Sequence, residues 1–226
     1  MVAEDPSAPR RWSADAWLAL RQGGASLGRD GAPVPLYGAS QAGAVLRYDL
    51  APGSPHRPAA YARIVQALAG SRESDIAAGL SVRPLSAVPL IAHVETRLTG
   101  RVGRTGPRPA AFVAAGFDEA PLALGARARG YAQAGYVGGR DATGFADGSL
   151  VAERTVLARG DTELAAGAGV WGGAQRGASR LDLGPSASLR FPLGGAAARL
   201  SLDYRLRVAG NAAPASGAAL TLSAGF

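Results

Sequence analysis

Polar and apolar side chains alternate residue by residue through most of this chain, and a period of two leaves little room for helices. The pattern is clearest near the C-terminal end. In Arg199–Val208 (RLSLDYRLRV), Leu200, Leu202, Tyr204, Leu206 and Val208 share one face, and Arg199, Ser201, Asp203, Arg205 and Arg207 share the other. A helix would scatter those charges around its axis, whereas a strand sets them all on one side. Ala218–Phe226 repeats the device, with Ala218, Leu220, Leu222, Ala224 and Phe226 opposite Ala219, Thr221, Ser223 and Gly225.

The same alternation predicts strands over Trp12–Arg21, Gln41–Leu50, Ile76–Val82, Leu90–Leu98, Ala126–Tyr136 and Arg180–Leu193. Pro58–Ala69, Ala110–Phe117 and Phe145–Leu157 alternate less cleanly and are read as bulged strands. Turn signals separate the strands, among them APGSPHRP, GSRE, RPLSAVP, DEAPLAL, VGGRDATG, PLGGA and AGNAAPASG. About twelve strands of about ten residues, the length of a tilted bilayer-spanning strand, predict an all-β chain closed into an antiparallel transmembrane β-barrel. Residues 1–9 read as a disordered N-terminal segment and 10–226 as a single barrel domain. An even strand number returns both ends to one side, taken as the periplasm. Connections expected on the far side are mostly longer than those on the near side, as in outer-membrane barrels.

A soluble all-β binding protein with an internal apolar core would also alternate. The small residues on the polar faces (Gly167, Gly169 and Gly173) and the lack of strong Ile, Val or Phe runs favour the membrane barrel. The last strand, LTLSAGF, ends on an aromatic and resembles outer-membrane β-barrel proteins. That resemblance implies recognition of Phe226 by the barrel-assembly machinery. The stretches AGYVGGR, GAGVWGGAQRGASRLDLGPSASLRF and LDYRLRVAGNAAPASGAALTLSAGF resemble the C-terminal barrel of the bacteriophage adsorption protein A family. The family implies a Gram-negative cell-envelope component linked to glycan export or phage attachment, with an envelope glycan or periplasmic partner. It carries over no catalytic residues, and the helical repeats that precede the barrel in that family are absent from this sequence.

Composition removes other classes. There is no Cys, so thiol chemistry and Cys-ligated metals are excluded; with only His56 and His93, so is a multi-His metal site. No cofactor is expected. All 24 basic residues are Arg, against 17 acidic residues. They are spread through strands and loops instead of forming the patch of a nucleic-acid binder, so no nucleic acid is expected. A Walker lysine is impossible, and no Gly-rich turn opens a helix. Met1–Arg10 lacks the apolar region of a signal peptide, which is taken as removed or not included.

Charges on the polar faces cannot meet lipid without costing about 2–4 kcal/mol each at the midplane. They are therefore expected to line the lumen: Arg47, Asp49, His93, Glu95, Arg97, Arg127, Arg129, Asp182, Arg190, Arg199, Asp203, Arg205 and Arg207. Two interiors fit them. One is plugged and salt-bridged; the other is a narrow, porin-like channel favouring anions. His93, beside Glu95 and Arg97 and with Ser81 on the preceding strand, also admits an outer-membrane lipid hydrolase, although the expectation is a non-enzyme. Arg101, Arg104, Arg108, Arg140, Arg176 and Arg180 are read as loop cations for lipopolysaccharide phosphates, which Arg binds bidentately. Trp12, Tyr48, Tyr204 and Phe226 are read as a sparse interfacial girdle in contact with outer-membrane lipid.

Overall fold

The computed structural model describes residues 11–23, 39–69, 74–100, 106–139 and 142–226. Its strands, in chain order, are β1 (Trp12–Arg21), β2 (Gln41–Asp49), β3 (Ala59–Ala67), β4 (Ser74–Val82), β5 (Leu90–Gly100) and β6 (Pro107–Pro121), followed by β7 (Ala126–Val137), β8 (Thr143–Arg159), β9 (Thr162–Gln175), β10 (Ala178–Leu193), β11 (Ala196–Gly210) and β12 (Gly217–Gly225). Each strand pairs antiparallel with its sequence neighbours, and β1 pairs with β12 to close the barrel. The expected residues 1–9 segment, and Arg101, Arg104 and Arg140, lie outside the described residues.

Side-chain facing follows the alternation. On β11, Leu202, Tyr204, Leu206 and Val208 are exposed on the outer wall, while Ser201 and Asp203 are buried inside. Leu18, Leu20, Ile64, Ile76, Leu80, Val94, Leu150, Leu183 and Leu220 are likewise exposed outside. Buried Arg21, Glu95, Glu153, Arg180, Asp182 and Asp203 are inside. An apolar exterior around a charged interior inverts a water-soluble barrel and suits a wall set in lipid. The soluble alternative would leave this apolar belt facing water.

Wall height is uneven. β1 to β4 have nine or ten residues each, whereas β8 has 17. The tall side, β8 to β11, is joined by short hairpin turns, in which Gly177 (φ 77°) and Gly194 (φ 61°) supply the positive φ that such turns need. The expected loop asymmetry therefore holds only in part, because the turn at Arg176 and Gly177 is among the tight ones.

One expected turn is strand. β6 continues through Asp118–Pro121 before the connection at 122–125, so part of DEAPLAL belongs to the wall. The register against β7 shifts between Phe117 and Ala120, placing Asp118 and Glu119 opposite Arg129. Glu119 sits at φ 61°. This is a β-bulge, which leaves an extra residue unpaired and re-aims its side chain. Here it sends two adjacent carboxylates into the lumen instead of one.

Aromatics mark the rim that carries the strand termini. Trp12 and Tyr48 pack with ring centroids 4.8 Å apart, and Phe226 is exposed beside them, its N–H donating to Ala14 O at 3.1 Å. Tyr204 lies farther along the wall, opposite Ala218. Inside, the Trp17 ring covers its cross-strand partner Gly43, occupying the space where a Cβ would stand.

Candidate functional site

The lumen holds the charged side chains, and strand order around the ring decides which of them meet. At the rim that carries the termini, the Asp118/Glu119 bulge is the centre. Arg127 from β7 donates to Glu119 at 2.8 Å, and Arg190 from β10 also bonds Glu119. Arg199 from β11 reaches both Asp118 oxygens at 3.2 Å and Glu119 at 3.3 Å. Strands β6 and β11 are five steps apart on a twelve-strand ring, where six would be diametric. The Arg199 contact thus crosses the lumen almost from wall to wall. Glu163 adds charge within 3.6 Å of Arg127 and 3.5 Å of Arg190.

Midway along, two networks occupy opposite sides. On β3 to β5, buried Glu95 accepts from Tyr61 (2.8 Å), Arg63 (2.8 and 3.0 Å) and Arg97 (2.5 Å), and Arg63 also meets Asp75 at 3.3 Å. Arg97 spreads over the Phe112 and Phe145 rings at 5.8 and 5.4 Å. On β7 to β11, Glu153 accepts from Arg129 (3.2 Å), Ser186 (2.9 Å) and Ser188 (2.9 Å). Ser186 Oγ also lies 2.8 Å from Asp203, which pairs with Arg205 at 2.9 Å. The Arg205 guanidinium caps Trp171 at 4.6 Å.

At the far rim, Asp182 is fully buried and one of its oxygens takes both Arg21 (3.0 Å) and Arg180 (2.6 Å). Arg21 stands on β1 and Asp182 on β10, three steps around the ring. Arg180, read from sequence as a loop cation facing lipopolysaccharide, is instead buried on β10. Arg108 is also on a strand, donating to Gly138 O at 3.3 Å, whereas Arg176 lies in a turn and is exposed.

Of the expected lumen set, Glu95 and Arg97 join one network, Arg127, Arg190 and Arg199 a second, Arg129, Asp203 and Arg205 a third, and Asp182 a fourth. Arg47 pairs with Asp15 at the exposed rim. Arg207 is exposed and reaches Ala212 O at 2.8 Å. Asp49 turns to its own connection, accepting from Ala51 N at 3.0 Å. His93 stacks on Phe112 (centroids 4.4 Å, planes 2° apart) and meets the Tyr61 edge at 5.4 Å. Ser81 is its cross-strand neighbour, but the His93 Nδ1 is buried with no hydrogen-bond partner. Tyr61, Arg63, Asp118, Glu119 and Arg21 complete the networks without being singled out as site residues by the sequence. Asp118 and Glu119 carry a usable signal, as adjacent acids next to an alternating run.

No protein-family model and no curated protein sequence matches the chain, so the resemblance of its C-terminal half to the adsorption protein A family stands without a matching model. Solved structures do match. LpxR from Salmonella typhimurium is 10% identical with a TM-score of 0.49, covering 95% of this chain and 99% of that one. The β domain of the Bordetella autotransporter BrkA is 11% identical with a TM-score of 0.49, covering 96% and 99%. An outer membrane channel from Pseudomonas putida is 14% identical with a TM-score of 0.47, covering 100% and 98%.

Proposed function

We propose that this chain is an outer-membrane β-barrel of a Gram-negative envelope whose lumen is closed by ion pairs between its walls. It acts as a non-enzymatic envelope component, not as an open diffusion pore. The observation that carries this reading is the Arg199–Asp118 contact, which joins β11 to β6 across nearly the full lumen. Arg190–Glu119 at the same level and Arg21–Asp182 at the other rim support it. The sequence resemblance favours an export or adsorption type of component, which presents its far rim to lipopolysaccharide or an envelope glycan. His93 supports the non-enzymatic reading, because it is packed between aromatic rings instead of being aimed at Ser81 with a supporting acid.

The test is conductance in a planar bilayer. The unmodified protein is expected to be silent. The double variant Asp118→Asn/Glu119→Gln breaks the cross-lumen contacts of Arg190 and Arg199, leaves Glu163 as the carboxylate beside Arg127 and Arg190, and is expected to conduct, with anions preferred. Steady anion-selective current in the unmodified protein would replace this reading with the narrow channel. A folded but silent double variant would remove the bulge carboxylates as the closing element.

A further inference from the structure

The connection between β11 and β12, residues 211–216, folds into the far mouth instead of standing away from it. Ala212 and Ala213 are 0% and 2% exposed, and Pro214 is fully buried. Asn211 ties the segment to the neighbouring hairpin. Its Oδ1 accepts from Ser179 N at 2.9 Å and its Nδ2 donates to Gly177 O at 3.0 Å. On the far side, Pro214 packs close to Gly23 beyond the end of β1. The segment therefore covers the part of the mouth from β10 to β1, three of the ring's twelve steps.

Two arginines hold it by its carbonyls. Arg180 donates through Nη1 to Ala212 O at 3.1 Å and to Pro214 O, and through Nη2 to Ala215 O at 3.4 Å. Arg207 donates to Ala212 O at 2.8 Å. The Arg180 guanidinium is oriented by Asp182 through Nε. Among the described residues at this end, Arg21, Arg180, Arg205 and Arg207 stand with Asp182, Asp203 and Asp147, the last level with Arg180 two strands away. The Nε atoms of Arg21 and Arg205 are buried without a hydrogen-bond partner. Cations outnumber carboxylates here, and three neutral carbonyl oxygens occupy the acceptor positions that a tetrahedral oxyanion would fill more strongly.

We infer that segment 211–216 is a lid acting as an internal stand-in for a phosphoryl ligand. A phosphate group, free or on a lipid headgroup, competes with the Ala212, Pro214 and Ala215 carbonyls for Arg180 and Arg207 and releases the lid. Binding and closure are then mutually exclusive, which couples occupancy of the mouth to its opening.

The chain has no Cys, so Ala213→Cys places a single thiol on the buried side of the lid itself in the refolded barrel. Its rate of labelling by a water-soluble maleimide reports opening. Labelling is expected to be slow in phosphate-free detergent. Inorganic phosphate should raise it saturably, by roughly tenfold or more, as exchange of one charge-assisted hydrogen bond implies. Sodium chloride at equal ionic strength should leave it slow. Adding Arg207→Gln should abolish the phosphate response. Acceleration by micelles of a phosphomonoester lipid, but not by inorganic phosphate, identifies a headgroup as the source. Fast labelling without any anion, equal acceleration by chloride, or no response to either phosphate form would overturn the inference. Amide exchange at Ala212, which donates to Ser179 O at 3.0 Å, gives the same comparison in the unsubstituted chain. A conducting barrel with a phosphate-sensitive lid would retire the closed-lumen proposal and leave this one standing.

Discussion

Replacing Asp182 by Asn should be among the most damaging single changes inside the barrel. The carboxylate is fully buried, and one oxygen neutralises two guanidiniums: Arg21, whose side chain is 3% exposed, and Arg180, at 2%. Asn keeps the shape and one acceptor but removes the charge, taking from two buried cations the carboxylate that pairs with both among the described residues. Breaking a buried pair by removing one partner costs about 3–5 kcal/mol, or a factor of roughly one hundred to several thousand in the folded-to-unfolded ratio at about 1.4 kcal/mol per tenfold. Asp15→Asn is the matched control, since the Arg47–Asp15 pair is 38% and 52% exposed and such pairs contribute about 0–1 kcal/mol. Urea unfolding of the refolded barrel in lipid vesicles, followed by tryptophan fluorescence, measures both. A combined Asp182→Asn/Arg21→Gln variant should recover part of the loss, because one of the stranded cations is gone. Equal midpoints for Asp182→Asn and Asp15→Asn, or a double variant weaker than Asp182→Asn by the full effect of Arg21→Gln alone, would refute the reasoning.

Two further outcomes follow from side-chain facing. Leu202→Arg, at a position 55% exposed on the outer wall, should cost about 2–4 kcal/mol and lower the yield of heat-modifiable barrel on a gel, whereas Leu202→Ala should assemble normally. Among single-tryptophan variants in vesicles of brominated lipid, the one retaining Trp12, which is exposed on the outer wall, should be strongly quenched, while those retaining Trp17 or Trp171, which face the lumen, should be nearly unaffected.

Alternation makes the wall legible in advance, because a period of two fixes facing without reference to any partner. Trp12–Arg21 and Gln41–Asp49 have the bounds that their patterns suggest to within a residue. Parity says nothing about what stands across the lumen. Arg199 and Asp118 are separated by 81 positions and meet because five strand steps carry one wall opposite the other. Nor does parity register a bulge, so Asp118 and Glu119 read as a turn when they supply the carboxylates for three arginines. Arg180 is misread for a related reason. It follows a tight turn and therefore reads as loop, yet the 211–216 segment folds over it and removes it from solvent. Ser201 shows the limit of a two-face description: it faces the lumen as expected, but at 7% exposure it has no room for the arginine that a spacious pore would accept.

The seam between β1 and β12 has a consequence for how the chain comes together. Every other pairing in the ring joins sequence neighbours, so the sheet can lengthen hairpin by hairpin as an open ribbon with two unsatisfied edges. Only the last pairing encloses most of the polypeptide. Chain entropy opposes this step less than its span suggests. Each doubling of an enclosed loop adds about 0.6 kcal/mol, so going from a hairpin to roughly 200 residues adds roughly 2–3 kcal/mol. Seven cross-strand residue pairs, from Asp15↔Gly225 to Arg21↔Ala219, are gained in return, along with removal of two edges that would otherwise invite pairing with other chains. The ribbon is thus the aggregation-prone species, and the concentration at which refolding begins to fail should depend on how fast this single seam zips.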